Sequence, residues 1–126
     1  MPVRSLTSSV MRWPDADTIH RAAAAWAEAL SRREPAVVAV GYFGSYARGD
    51  AGVGSDLDLV ILLRESALPF ERRAVGWPSE SLPVPAEVLA YTLAEWCALP
   101  ERRPRFGRVL REETVWLLGA PPPDRP

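Results

Sequence analysis

The sequence predicts an α/β (α+β) fold, a single small domain in which helices pack on a mixed sheet of about four strands. Two short runs, Ala36–Val40 and Leu57–Leu63, are almost continuously apolar, as strands covered on both faces are. Segments with helical spacing alternate with these runs, and proline or glycine punctuates the joints. With 126 residues, 48% of them hydrophobic and 25% charged, the chain has the composition of a packed domain rather than a disordered one. Its length suffices to bury about two-thirds of the unfolded surface.

Residues 1–14 read as a flexible polar lead, 15–119 as the domain, and 120–126 as a disordered proline-rich tail. Asp15 or Asp17 caps a helix through Arg33, whose Ile19, Ala23, Trp26 and Leu30 form one apolar stripe until Pro35 stops it. Ala36–Val40 is the first strand. Gly41–Gly54 holds five of the eight glycines, so the backbone there needs freedom or close approach, and a turn with a short helix fits. Leu57–Leu63 is the second strand. A short helix is expected over Pro69–Trp77 and a loop over Pro78–Pro85. Ala86–Thr92 reads as the third strand, with Thr92 or its successors opening a helix through Leu99 that Pro100 and Pro104 break. Arg105–Glu113 is a last helix and Thr114–Leu118 a final strand.

A net charge of −1 argues against a duplex nucleic acid partner. The apolar runs fall short of the roughly 20 residues a membrane span needs, so no membrane role is expected. One cysteine, Cys97, and no secretory signal in the first residues lead to an expected cytoplasmic location.

The chemistry concentrates in Gly44-Ser45-Tyr46-Ala47-Arg48-Gly49-Asp50 and Ser55-Asp56-Leu57-Asp58. Residues two apart in a strand share a face, so Asp56 and Asp58 present carboxylates on one side with Cα atoms roughly 6.5 Å apart. Two such groups repel unless a cation joins them, and hard oxygen ligands beside phosphate suit Mg²⁺. Gly44 and Ser45 lie between a buried strand and a helix start, where backbone N–H groups favour an anion such as a triphosphate, and the Ser45 hydroxyl adds a donor. Arg48 can reach either the phosphates or an acidic neighbour within the fold.

The spacing G-S-x10-D-x-D, in the form GSYARG…SDLDL, resembles the signature of the DNA polymerase β-like nucleotidyltransferase superfamily, and in particular its minimal nucleotidyltransferase, MntA-like branch. The resemblance covers roughly residues 15–119, including the AEVLAYTLAEW and RFGRVLREETVWLLG segments. It implies a nucleotidyltransferase domain that moves AMP from ATP, or NMP from another NTP, onto an acceptor hydroxyl with release of pyrophosphate. It also implies a third carboxylate on the following strand, at Glu87, with Glu80 in the proline-rich loop as the alternative. Aspartate is commoner there than the longer glutamate found here. Asp56, Asp58 and Glu87 are then the metal ligands, holding two Mg²⁺ ions, and Glu87 helps take the acceptor's proton; Gly44, Ser45 and Arg48 bind the nucleotide.

Nothing in the chain remains for a second, acceptor-binding domain, so the acceptor is expected on another chain. In the MntA-like branch that chain is a HEPN-domain toxin, silenced by adenylylation of a tyrosine. Two rivals stand beside this reading. One is a non-catalytic antitoxin or regulatory subunit that covers its partner; the other is a stand-alone enzyme modifying a small molecule such as an antibiotic. Assembly with copies of itself is left open. His20 is read as a packing or surface residue and Cys97 as a small buried one. Trp26 and Trp116 fit core positions, whereas Trp13 and Trp77, beside prolines, are candidates for a partner surface.

Overall fold

The computed structural model describes residues 13–122. The expectations for residues 1–12 and 123–126 lie outside the described residues. Helix α1 spans Ala16–Arg33 and is capped by Asp15, whose carboxylate accepts from Thr18 N–H at 2.8 Å. Strand β1 follows at Val37–Phe43, then a single helical turn, α2, at Ser45–Arg48, and strand β2 at Leu57–Leu63. Strand β3 is Ala86–Thr92, helices α3 and α4 are Leu93–Arg102 and Pro104–Glu113, and strand β4 is Val115–Leu118.

The four strands form one mixed sheet in the order β3-β2-β1-β4. β1 runs antiparallel to both β2 and β4, while β2 and β3 are parallel. The α/β architecture with helices on a small mixed sheet is therefore the one the periodicity predicts. Alternate residues of β2 divide the core in two. Leu57, Leu59, Ile61 and Leu63 pack with Ile19, Ala23, Trp26 and Leu30 of α1. Val60 and Leu62 face the other way, onto Trp96 and Leu99 of α3 and Leu110 of α4.

β1 starts one residue later and ends three residues beyond the apolar run Ala36–Val40, because Gly41, Tyr42 and Phe43 continue the pairing with β2 up to Phe43 opposite Asp58. Gly41 tolerates this crowding only without a side chain: a Cβ there would stand 2.6 Å from Thr114 Cγ2 and 2.8 Å from the Val115 carbonyl. The helix expected over Pro69–Trp77 is only a 3₁₀ turn at Phe70–Arg72. Arg73 instead turns its side chain inward, where Nε donates to the Leu68 carbonyl at 2.9 Å and Nη1 to the Ala90 carbonyl at 3.0 Å.

Pro100 does not break α3, which runs on to Arg102. Proline leaves the carbonyl four residues back without its helical donor. Here Arg111 of α4 supplies one, its Nη2 donating to the Trp96 carbonyl at 3.1 Å. α4 then begins at Pro104, a residue suited to the first turn. Cys97 is exposed, contrary to the buried position expected: it lies on the solvent side of α3, opposite Trp96 and Leu99. Trp13 and Trp77 both pack partly buried against the α1-side core. Among the described residues no helix is long and apolar enough to cross a membrane.

Candidate active site

Pairing brings the conspicuous residues together at one end of the sheet. Because β1 and β2 are antiparallel and Phe43 lies opposite Asp58, the Gly44 turn that ends β1 is delivered to the start of β2. Because β2 and β3 are parallel with Asp58 level with Glu87, their side chains leave the same face. A backbone bond from Leu57 N–H to the Pro85 carbonyl, 2.9 Å, secures that register at its first step. The face is the α3–α4 side, since Phe43, Val60 and Tyr91 belong to that core. On that face Glu87 is exposed and Asp58 half-buried.

Asp56 stands just before β2 and is exposed. Partial burial pushes the Asp58 carboxyl above its ordinary range, and the nearby charges of Glu87 and then Asp56 push it further; Arg48 opposes them. Asp56, Asp58 and Glu87 thus share one electrostatic neighbourhood, with Arg48 at its border. Glu80, the alternative third carboxylate, lies exposed in the loop ahead of β3 and makes no contribution at Asp58. An all-oxygen, mutually repelling donor set is of the kind that fits a hard divalent cation. Among the described residues, however, no three His, Cys, Asp or Glu side chains converge tightly enough to form a ready-made metal cage.

Gly44 has φ 80° and ψ −153°, a conformation that side chains disfavour. A Cβ built there would collide with Asp58 Oδ2, so the turn and the carboxylate can approach only because residue 44 is glycine. Ser45, half-buried, opens α2, whose four residues give only a small macrodipole. The Gly44 N–H donates to Glu113 Oε1 at 3.0 Å. Arg48 also reaches Glu113 Oε1, through Nη1 at 3.3 Å, and Asp50 Oδ2 through Nε at 3.2 Å. Of the two directions open to Arg48 from sequence, it takes the acidic neighbours while remaining close enough to act on Asp58.

Three contributors escape a reading of the motif alone. Tyr46 is buried, accepts from Trp13 Nε1 at 2.9 Å and donates to the Ser55 carbonyl at 3.3 Å, tying α2 to the loop that delivers Asp56. Ser55 Oγ in turn accepts from Gly52 N–H at 2.9 Å and shapes that loop. Glu113 comes from the far end of the chain. Its one visible signal is an acidic residue in the last turn of a helix, where the dipole favours cations.

The nucleotidyltransferase domain family model matches residues 25–116, which is most of the chain, all of β1 to β3 and the first half of β4. The chain belongs to the nucleotidyltransferase domain family. No curated protein matches it. Among solved structures, a protein of Sulfolobus solfataricus assigned as a nucleotidyltransferase is 19% identical, with 84% of this chain and 89% of that one covered and a TM-score of 0.57. A toxin–antitoxin solved with AMP-PNP is 16% identical over 77% of this chain and 73% of that one, with a TM-score of 0.51. A mutant of the MntA–HpeT toxin–antitoxin is 14% identical with the same coverage and TM-score. At these identities the likeness is one of fold. This nucleotidyltransferase domain carries its glycine–serine turn and its acidic cluster at the same sheet end.

Proposed function

We propose that this nucleotidyltransferase is a Mg²⁺-dependent enzyme of the minimal, MntA-like branch that transfers AMP from ATP to a hydroxyl presented by another chain, with the tyrosine of a HEPN-type toxin as acceptor. The observation that carries this reading is the crowding of Asp56, Asp58 and Glu87 on one sheet face beside the Gly44 turn. Like charge that Arg48 only partly offsets is unfavourable without a ligand, and functional sites are where such arrangements collect.

Asp56, Asp58 and Glu87 are the residues that would hold two Mg²⁺ ions. When bound, the metal supplies positive charge against the triphosphate and the developing charge of in-line displacement. Ser45 and the Gly44 turn receive phosphate oxygens, and Arg48 adds its guanidinium to them. The acceptor oxygen bonds to the α-phosphorus as the bond from that phosphorus to the bridging oxygen breaks, and pyrophosphate departs with the electron pair. Glu87, exposed to solvent, takes the acceptor proton and returns it to water. The fold neighbour solved with AMP-PNP supports an adenine nucleotide, and the MntA–HpeT neighbour supports an antitoxin role. An enzyme drawing on ATP and Mg²⁺ in this way acts in the cytoplasm.

One observation favours a second reading, a binding subunit without catalysis: the Gly44 N–H and Arg48 are already engaged by Glu113. The two separate cleanly. The protein is incubated with α-labelled ATP, Mg²⁺ and the product of its neighbouring gene. Label on that product, lost with EDTA and with Asp58→Asn, is the expected result. Neutralisation of the partner by an unlabelled double Asp56→Asn, Asp58→Asn variant is the result that replaces the enzyme with the binding subunit.

A further inference from the structure

Glu113 closes α4 at the end where the helix dipole disfavours an anion, and local preferences give it no reason to be acidic. Its carboxylate is mostly sheltered, with 21% of the side chain exposed, and one oxygen receives both the Gly44 N–H and Arg48 Nη1. A local rule broken in favour of two contacts more than sixty residues away marks a tertiary role. Building on the nucleotide-transfer reading above, we infer that Glu113 is a positioning residue for the triphosphate: it fixes the Gly44 turn and aims Arg48.

Two geometric facts carry the inference. Glycine at φ 80° is free to leave that conformation, and the bond from its N–H to a carboxylate holds the turn in place before any ligand arrives. Arg48 would otherwise sweep a wide arc, but Asp50 holds its Nε and Glu113 its Nη1. That grip leaves Nη2 with no hydrogen bond among the described residues, so one face of the guanidinium fork is offered to a phosphate oxygen. Less ordering then remains to be done when the nucleotide binds.

The test compares ATP·Mg²⁺ affinity and the KM and kcat of transfer for the wild type, Glu113→Gln and Glu113→Ala, with thermal melts establishing that each is folded at the assay temperature. Glu113→Ala removes both contacts and should raise KM for ATP about tenfold with kcat nearly unchanged. Glu113→Gln keeps an acceptor for the Gly44 N–H but loses the charge facing Arg48, so it should fall between the two. In an Arg48→Ala background the effect of Glu113→Ala should shrink markedly, a coupling that a purely structural role does not produce. A folded Glu113→Ala variant with wild-type affinity overturns the inference alone. Tighter binding overturns it too, since Glu113 would then be competing with phosphate. A wild-type protein that binds no ATP·Mg²⁺ removes the functional reading and this inference together.

Discussion

The two ends of the β2–β3 pair treat carboxylates in opposite ways. At the start, Asp58 stands beside Glu87 and Asp56 and its carboxyl is pushed up by burial and by their charge. At the far end, Glu95 is pushed down, chiefly because Arg73 donates to it. Arg73 grips it through Nη1 at 2.6 Å and Nη2 at 3.1 Å, while the Glu95 side chain accepts from Thr92 N–H at 2.9 Å in the capping box of α3. Arg73 is buried and lies within hydrogen-bond reach of four acceptor atoms on three residues, whereas Arg48 is half-exposed and shared between two flanking carboxylates. One end has its charges matched and serves the fold. The other leaves like charges adjacent, which disfavours the free protein and favours a cationic ligand.

The contrast between the two ends depends most on Asp58. If Asp58 holds a metal as proposed, Asp58→Asn should lower transfer on the order of 10³-fold, the loss of several kcal/mol of charge stabilisation, without lowering stability. Its melting temperature should rise slightly, by less than about 1 kcal/mol in free energy because solvent screens the repulsion. A melting temperature that falls well below wild type would move Asp58 to the structural side. The mirror experiment is Glu95→Ala, which strands the buried Arg73 guanidinium and should cost about 3 kcal/mol in urea melts, with kcat intact at low temperature. Loss of activity in a still-folded Glu95→Ala protein would blur the distinction between the two ends.

Gly44→Ala tests the close approach that links the turn to the carboxylates. The positive-φ, extended-ψ conformation, open essentially only to glycine, should alone cost roughly 1–3 kcal/mol, and the added methyl must also displace Asp58 Oδ2. Transfer should therefore fall by more than the stability loss accounts for, measured below the melting transition.

The smallest effect is in pH. The folded pKa of Glu95 lies below its ordinary 4.5, so the folded protein binds that proton less readily than the unfolded chain. Its stabilisation is present above pH 4.5 and is lost as pH falls toward the depressed folded value; Glu95→Gln should flatten that limb. Asp58, raised above its ordinary 3.8, has the opposite sign: its contribution is present below 3.8 and lost as pH rises through the elevated folded value. Each amounts to less than about 1 kcal/mol because both carboxylates are substantially hydrated. Stability curves from pH 2 to 7 for the two variants should bend in opposite directions from wild type.

Much of the active end is legible from residue types and short-range spacing. Asp56 and Asp58 share a side because strand geometry has a period of two, and the glycine cluster marks the place of closest approach. Other readings failed where a distant residue intervened. Pro100 reads as a helix end because its ring removes a donor, yet Arg111 supplies the bond it cannot make. The Pro69–Trp77 segment reads as helical, yet Arg73 turns inward to Glu95 and leaves only a short turn. Tyr46 and Ser55 sit within the motif and Glu113 outside it, yet all three contribute through contacts visible only in space.

By itself the sequence determined the class of fold, the order of its elements and the face on which each strand residue lies, because those follow from periodicity and local backbone preference. Only the tertiary structure decided that Glu87 stands level with Asp58 and that Glu113 reaches Gly44 and Arg48. Periodicity assigns a side chain to a face but leaves open how far one strand slides along another, and it carries no information about which distant helix end meets a turn. Those are set by packing of the two cores on either side of the sheet, which closes only in one register.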